Sequence, residues 1–210
     1  APFIGPWRTF NLQREKLYMK SRILFLPLLL LVCGGLFAQE PNLLQHLEWE
    51  IENGTITITR FWDHQLGAGF GSIAIPAVID GKRVTKIGAN AFSGSVLTSI
   101  TIPGSVTSIE EYAFSGCHYL TSITIPGSVT SIGFQAFGYC SNLNSVTILH
   151  GVTSIKEGAF YDCTSLIDIW LPDSLTNIEL GAFYLCDSLS ARTVIDIASR
   201  FGLQVFESFK

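Results

Sequence analysis

Four cysteines offer the most regular chemistry in this chain. They recur at constant steps of 23 residues, at Cys117, Cys140, Cys163 and Cys186. An even number of cysteines is compatible with disulfides, and thiolates are also zinc ligands. No Cys-x-x-Cys motif and no histidine at a matching interval accompanies them, so we expect a buried column of small, free thiols. Disulfide pairing and metal binding remain the alternatives.

Histidines and a glycine-rich segment are the other candidates for chemistry. The histidines His46, His64, His118 and His150 fall at unrelated positions of the sequence pattern. Asp63 and His64 are adjacent, but no Gly-x-Ser-x-Gly nucleophile motif accompanies them. The segment 67–71 has alternating glycines without a strand–helix unit around it, so we interpret it as a turn. We predict no catalytic residue, metal or cofactor, and therefore no enzyme.

The elements that position these residues are repeats. The pair Ala-Phe begins at residues 91, 113, 136, 159 and 182, and each later phenylalanine is followed three residues on by one of the four cysteines. A fixed period of this length indicates a solenoid, in which each unit buries its apolar face only against its neighbours. We expect the five phenylalanines to stack as one buried column, formed by Phe92, Phe114, Phe137, Phe160 and Phe183.

Each repeat has three blocks that can be interpreted physically. Leu-x-x-Ile-x-Ile, as at 120–125, alternates like a short strand with its apolar side chains inward. Pro-Gly then ends the strand, and a type II turn would give Gly104 and Gly127 positive φ. The fourth corner has His150-Gly151 and the fifth has Asp173 instead, so we expect both to be irregular, with His150 or Gly151 in the unusual conformation. Val-x-x-Ile returns along a second wall.

These blocks resemble the BspA-like, or treponemal-type, leucine-rich repeats over about residues 72–189. The resemblance rests on the Leu-x-x-Ile-x-Ile-Pro, Val-Thr-Ser-Ile and Ala-Phe-x-x-Cys blocks, which recur in order at fixed offsets. Ordinary leucine-rich repeats place Asn or Cys after the strand, where this chain has Ser105, Ser128, Gly151 and Ser174, so we expect no asparagine ladder. The resemblance implies a short, curved, β-rich solenoid that is exported, displayed on a surface and non-catalytic, and that serves adhesion or host-protein binding.

The outward positions of the repeat strands form the candidate ligand-binding face, the concave face of such a solenoid. They are Ser99, Thr101, Ser122, Thr124, Ser145, Thr147, Asp168 and Trp170. Three repeats present hydroxyls, and the last presents an acid and a large aromatic. An exposed tryptophan beside a carboxylate is typical of a recognition hot spot. The alternative is that Trp170 packs on the C-terminal helix as part of a cap.

Both ends of the repeat region have the pattern of caps. Alternating segments flank Asn53-Gly54, the strongest hairpin signal, and predict an N-terminal hairpin within residues 39–71. Asp80-Gly81 predicts a second hairpin inside an enlarged first repeat. Within residues 190–210, apolar side chains from Val194 to Phe201 follow helical spacing, with Ser190 able to cap the helix and Gly202 to end it. The segment after the helix carries no pattern.

The N-terminal region contains a segment that is typical of a leader followed by a cleavage site. Residues 1–18 precede the single methionine, Met19, and receive no role. Residues 19–38 begin with basic residues, continue with an apolar run from Ile23 and end in small residues, which predicts a secretory signal peptide cut before Gln39. The alternatives are a membrane anchor through residues 23–38 and a lipoprotein acylated at Cys33. Membrane contact would then occur only through an uncleaved leader.

Charge and composition limit the partners. The net charge is −4 and only 14% of residues are charged, so no basic surface for nucleic acid is expected. The interpretation is a β-rich leucine-rich-repeat solenoid of about five coils with an N-terminal hairpin cap and a short helical C-terminal cap. We expect an exported module that binds an extracellular or envelope protein or glycan, with no small-molecule substrate. The alternative is a structural spacer or assembly unit of a cell envelope.

Overall fold

Two sheets, in which strands of successive coils pair in parallel, form two walls of a coiled chain. The computed structural model describes residues 43–63 and 71–207. The strands are β1 (Leu47–Glu52), β2 (Thr55–Phe61), β3 (Ser72–Ala74), β4 (Val78–Ile79), β5 (Lys82–Ile87), β6 (Ser99–Thr101), β7 (Ser108–Ile109), β8 (Ser122–Ile125), β9 (Ser131–Ile132), β10 (Ser145–Ile148), β11 (Ser154–Ile155), β12 (Asp168–Trp170) and β13 (Asn177–Ile178). The helix α1 spans Ala191–Phe201, and 3₁₀ turns lie at Leu43–Gln45 and Leu203–Phe206.

Each coil contributes one strand to each wall. The five-stranded sheet has the order β12-β10-β8-β6-β3, and the other sheet runs β1-β2-β5-β7-β9-β11-β13 with β4 paired to β5. Neighbouring coils pair in parallel and in register, so that Ser122 lies beside Ser145 and Ile123 beside Val146. Equivalent side chains therefore meet in rows along the solenoid, as the sequence predicted. No helix in the described part of the chain has the length and hydrophobicity needed to span a membrane.

The core is built around the phenylalanine column that the repeat predicts. The five phenylalanines are each at most 1% exposed, and successive ring centroids lie 5.0–5.5 Å apart with nearly parallel planes. The column is longer than predicted, because Phe61 and Phe206 extend it at centroid distances of 5.3 and 6.1 Å. Each ring therefore has its flat faces covered by the coils above and below, which one repeat alone could not achieve.

The cysteines form the predicted column of free, buried thiols. Each Sγ donates to the phenylalanine carbonyl of the preceding coil, as from Cys117 to Phe92 O at 3.1 Å and from Cys163 to Phe137 O at 3.1 Å. Each buried thiol thus has a hydrogen-bond acceptor and needs neither a disulfide nor a metal to satisfy it. In the described ranges no group of Cys, His, Asp or Glu is arranged to hold a metal ion.

The prediction for the corners is wrong at Gly104 and Gly127, which do not have positive φ. The turn bond runs from Val106 N to Pro103 O, so proline is the first residue of the turn rather than its second, and a left-handed residue is not required. The fifth corner, at Asp173, is formed in the same way by Leu175 N and Pro172 O. Its predicted irregularity is therefore wrong as well.

The fourth corner is irregular, as predicted, and Gly151 has φ +119°. A Cβ at Gly127 would overlap the His150 carbonyl oxygen, and a Cβ at Gly151 would overlap the carbonyl of Gly127. Close approach of two coils, rather than a left-handed turn at Gly127, explains this pair of glycines. The serines of the same row replace an asparagine ladder: Ser128 Oγ donates to Val106 O at 2.6 Å and Ser174 Oγ to Val152 O at 2.8 Å.

Left-handed backbone occurs instead around the Ala-Phe-x-x-Cys block. Each coil has one such residue before the alanine and one just before the cysteine, or before Ser95, which takes the place of the cysteine in the first coil. The second row consists of Gly94, Gly116, Tyr139, Asp162 and Leu185, with φ between +55° and +71°. Only the first two coils use glycine there, and the last three hold ordinary L-residues in a conformation that is unfavourable for them.

Both predicted hairpins and the predicted helix are present. β1 and β2 pair antiparallel across Asn53-Gly54, and β2 pairs in parallel with β5, so this hairpin extends the wall beyond the first repeat. β4 and β5 form the second hairpin. Ser190 caps α1 by accepting from Thr193 N, and the helix ends at Gly202, with φ +86°.

The segment after α1 completes another coil, although no repeat pattern was recognised there in the sequence. Phe183 N donates to Val205 O at 2.8 Å, in the same way that Phe160 N donates to Ala182 O in the coil before. Val205 and Phe206 follow Ala182 and Phe183 by 23 residues, so they occupy the Ala-Phe positions of a sixth unit. Its strand is replaced by α1 because Arg192 falls where the previous coil has the buried Ile169.

Candidate functional site

The outward residues of the five-stranded sheet lie side by side in two straight rows. One row runs Ser99, Ser122, Ser145 and Asp168; the other runs Thr124, Thr147 and Trp170, with Thr101 at the same position of β6. The strands alternate, so that each of these side chains points away from the core while the isoleucine or valine between them is buried. We call this set of eight residues the outer face. The structure brings together all eight residues that the sequence analysis selected.

Trp170 is the largest exposed side chain of the outer face. Its side chain is 71% exposed, and it is not among the hydrophobic residues that pack against the core. The alternative in which Trp170 packs under α1 is therefore wrong. Leu171, its neighbour, packs against the core instead, because consecutive residues of a strand point to opposite faces.

Asp168 lies at its predicted outward position and also makes contacts that the sequence did not suggest. Its Oδ1 accepts hydrogen bonds from Ser190 Oγ at 2.9 Å and from Thr193 Oγ1 at 3.2 Å. Ser190 is the residue that caps α1, so the carboxylate links the last strand to the start of the helix. Asp168 nevertheless remains exposed at the outer face, so it combines a structural contact with a surface charge.

A shallow cleft of about 530 Å³ adjoins Trp170 at the end of β10 and β12. It is lined by Thr147, Ile148, Leu149, His150, Trp170, Leu171, Pro172 and Asp173. Leu149, at 45% exposed, stands where the other four coils have proline, and His150 stands where two have glycine. From the sequence, these departures predicted only an irregular corner. They also build one wall of the cleft, and a break in a repeat consensus next to Trp170 is the signal that could have found it.

Three tyrosines outside the outer face contact one another. The ring centroids of Tyr139 and Tyr161 lie 5.0 Å apart, and those of Tyr161 and Tyr184 lie 5.7 Å apart. These tyrosines pack with tilted rings between successive coils near the Ala-Phe-x-x-Cys block. This packing gives them a structural role. Trp170 at the outer face is much more exposed.

The polar pairs considered for catalysis have structural partners. Asp63 Oδ2 accepts from Val96 N at 2.6 Å, which attaches the end of the N-terminal cap to the first repeat. His46 Nδ1 is hydrogen-bonded to Trp62 O at 2.9 Å, and His118 Nδ1 lies 3.4 Å from Ser141 Oγ at an exposed turn. None of these three pairs lines the cleft beside Trp170. His64 and residues 67–70 of the glycine-rich segment lie outside the described residues, as does the predicted leader.

The stacked coils, the two parallel walls and the in-register rows define a leucine-rich-repeat solenoid. The family model described as "BspA type Leucine rich repeat region" matches residues 85–210 in six copies. The chain therefore belongs to the BspA-type leucine-rich-repeat family. The six copies agree with the sixth unit that Val205 and Phe206 complete. A comparison with curated protein sequences gives no match.

Solved structures of bacterial leucine-rich-repeat proteins resemble this chain. One from Bacteroides capillosus is 29% identical, with a TM-score of 0.54, and covers 60% of this chain and 94% of its own. One from Eubacterium ventriosum is 26% identical, also with a TM-score of 0.54, over 68% of this chain and 38% of its own. A leucine-rich cell surface protein from Faecalibacterium prausnitzii is 31% identical over 69% of this chain, with a TM-score of 0.48. This chain spans about half of that protein, 52%.

Proposed function

We propose that this chain is an exported, non-catalytic binding module that holds a protein or glycan on its outer face and serves adhesion to a surface. The observation that carries the proposal is the 71% exposure of Trp170 at the end of a row of hydroxyl side chains. The exposed indole leaves a large apolar surface in contact with water. A bound partner that covered this surface would gain the free energy of burying it. Tryptophan is also among the residues most enriched at interface hot spots.

The rest of the outer face supports recognition of a broad, polar surface. Serine and threonine hydroxyls both donate and accept hydrogen bonds, and the strand register spaces them at one coil per step. Because they sit on a sheet rather than on loops, they are held rigidly and lose little freedom on binding. Hydrogen bonds from such rows would complement the hydrophobic contact that Trp170 provides.

The size of the outer face limits the affinity of a single copy. The four strands that carry the outer face lie about 4.8 Å apart and span roughly 14 Å. A strip of this length offers less surface than the standard interface of about 800 Å² per partner, unless the caps contribute to binding. Monovalent binding is therefore expected to be weak, and adhesion would depend on many copies displayed together. Export by the predicted leader would place such copies outside the cell.

A binding screen tests this function against the alternative of a structural spacer. The full chain, displayed in many copies on beads, is applied to a panel of extracellular proteins and glycans. A binding module gives saturable capture of at least one member, and soluble monomer competes for it. A spacer gives no saturable capture, and its assembly is sensitive to removal of the caps but not to substitutions such as Thr124→Ala on the outer face.

A further inference from the structure

The cleft beside Trp170 has a predominantly apolar wall. Ile148, Leu149, Trp170, Leu171 and Pro172 supply five of its eight lining residues. A sugar ring needs fixed hydrogen-bonding groups around it, and this cleft offers few. Leu149, which is 45% exposed and follows directly after β10, instead presents an aliphatic surface to the cleft beside the indole. The cleft therefore favours a ligand group that is itself partly apolar.

Carboxylates lie on both sides of the indole. Asp168 precedes Trp170 by two residues on the same side of β12, and Asp173 lines the cleft beyond it. Both side chains are exposed. The surrounding half of the chain is acidic, since residues 87–207 contain ten acidic residues against three basic ones. A positive group entering this cleft therefore meets a negative field.

Two of the three basic residues in this region are paired with carboxylates of their own. Lys156 pairs with Glu179 at 2.7 Å. Arg200 donates to the carbonyl oxygen of Pro172, which lines the cleft, at 3.0 Å, and it lies 3.7 Å from the carboxylate of Asp196 on the same helix. Arg192, the third, is exposed on the first turn of α1.

We propose that the cleft binds an arginine or lysine side chain presented by an extended segment of a partner protein. This proposal rests on the binding function proposed above and names the chemistry of its ligand. Arginine and lysine carry an apolar stem, which would pack on Leu149, and a cationic head. Tryptophan is the best ring for a cation–π contact, and the head would lie over Trp170 with Asp168 and Asp173 as counter-charges. One side chain thus satisfies the apolar wall, the indole and the carboxylates together.

Peptides displayed densely on a sensor surface test this proposal, because high density amplifies weak monovalent binding. The probes are short peptides that are identical except for a central Arg, Lys, Gln or Glu. The Arg and Lys peptides should retain the full chain, whereas the Gln peptide should bind about tenfold more weakly and the Glu peptide weaker still. Retention should also fall as salt is raised, because the carboxylates are exposed and screened.

Matched variants locate the contact. Trp170→Ser and Asp173→Asn should each weaken binding of the Arg peptide by several-fold to about tenfold. Ile195→Ser, which changes another highly exposed apolar residue, and Asp187→Asn, which removes another exposed acid, should leave it unchanged. Thermal melts confirm that all four variants are folded.

Equal retention of the Arg and Gln peptides, or no retention of either, overturns this proposal. Capture of a neutral glycan that is lost in Trp170→Ser but insensitive to salt would overturn it while leaving the binding function intact. Absence of any saturable partner in the wider screen would instead remove the binding function itself. The two proposals can therefore fail separately.

Discussion

Ser190 Oγ donates a hydrogen bond of 2.9 Å to Asp168 Oδ1, and this contact joins the last repeat strand to the helix that covers it. Ser190 also caps α1 through Thr193 N, so one serine connects a strand carboxylate to a helix terminus. Acidic groups are favourable at this end of a helix because its unpaired N–H groups carry partial positive charge. Asp168 thereby helps to close the solenoid at its C-terminal end.

This contact predicts different effects for two substitutions of Asp168. Asp168→Ala removes the acceptor for Ser190 and Thr193 and should lower the free energy of unfolding by about 1 kcal/mol. Asp168→Asn keeps an oxygen in the same place and should cost less than half as much. Urea denaturation of the two variants measures the difference. Equal losses would show that the charge of Asp168, not its acceptor geometry, holds the helix.

The phenylalanine column predicts a large loss of stability from one central truncation. Phe137 is fully buried between Phe114 and Phe160, so Phe137→Ala should cost about 3–5 kcal/mol by leaving a cavity between two coils. Phe206 is only partly buried at the end of the column, and Phe206→Ala should cost clearly less. Denaturant melts measure both. A loss under about 1 kcal/mol at Phe137 would contradict the continuous column.

The left-handed row predicts that two similarly exposed leucines differ in how well they tolerate replacement by glycine. Leu185 has φ +61° and is 36% exposed, whereas Leu180 is 38% exposed and is not among the residues with positive φ. Replacing each with glycine removes a comparable side chain, but only at Leu185 does it also relieve the backbone. Leu180→Gly should therefore destabilise the protein by about 1–2 kcal/mol more than Leu185→Gly. If thermal melts rank the two variants the other way, left-handed strain at Leu185 is not a significant cost.

The buried thiols predict a loss of stability at alkaline pH. Burial raises the pKa of the Cys163 thiol, and the Cys186 thiol next to it adds to the effect. The pKa of Cys117 is raised by the hydrogen bond with Cys140 and by burial. Because the folded state keeps these thiols protonated while the unfolded state loses their protons above roughly pH 8.5, stability should be constant below that pH and fall above it.

Urea midpoints between about pH 7.5 and pH 9.5 measure this effect, a range chosen around the ordinary thiol pKa. Cys163→Ala removes one of the titrating groups, so its midpoint should decline less steeply over the same range even if the variant is less stable overall. The native thiols should also resist alkylation until the protein unfolds. Rapid alkylation of the folded protein would contradict the buried column.

The repeat pattern was sufficient to predict the walls, the phenylalanine column and the thiol column, because these depend on residues that recur in register. The repeat pattern did not predict the backbone conformation of the Pro-Gly corners or of the left-handed row. Proline followed by glycine is compatible with more than one turn, and the turn at Pro103 starts one residue earlier than expected. The left-handed row was missed because its residues at Tyr139 and Leu185 are not of the types that favour positive φ.

The site was predicted only in part, since it depends on where the repeats depart from their pattern. The in-register rows followed from the strand alternation, and the exposure of Trp170 agrees with one of the two alternatives considered. The contact between Asp168 and Ser190 joins residues 22 positions apart through a helix whose docking the sequence does not specify. The cleft formed by Leu149 and His150 likewise arises from two coils that meet only in three dimensions.

The comparison of Trp170→Ser with Ile195→Ser tests the central claim most directly. Both variants remove a highly exposed apolar side chain, 71% and 69% exposed respectively, but only Trp170 lies on the outer face. Binding of each variant to the partners captured by the wild-type chain is measured together with its thermal melt. We predict that Trp170→Ser weakens binding by several-fold to about tenfold with a nearly unchanged melting temperature, while Ile195→Ser binds normally. Retained binding with a lowered melting temperature in Trp170→Ser would show that the indole serves the fold and not recognition.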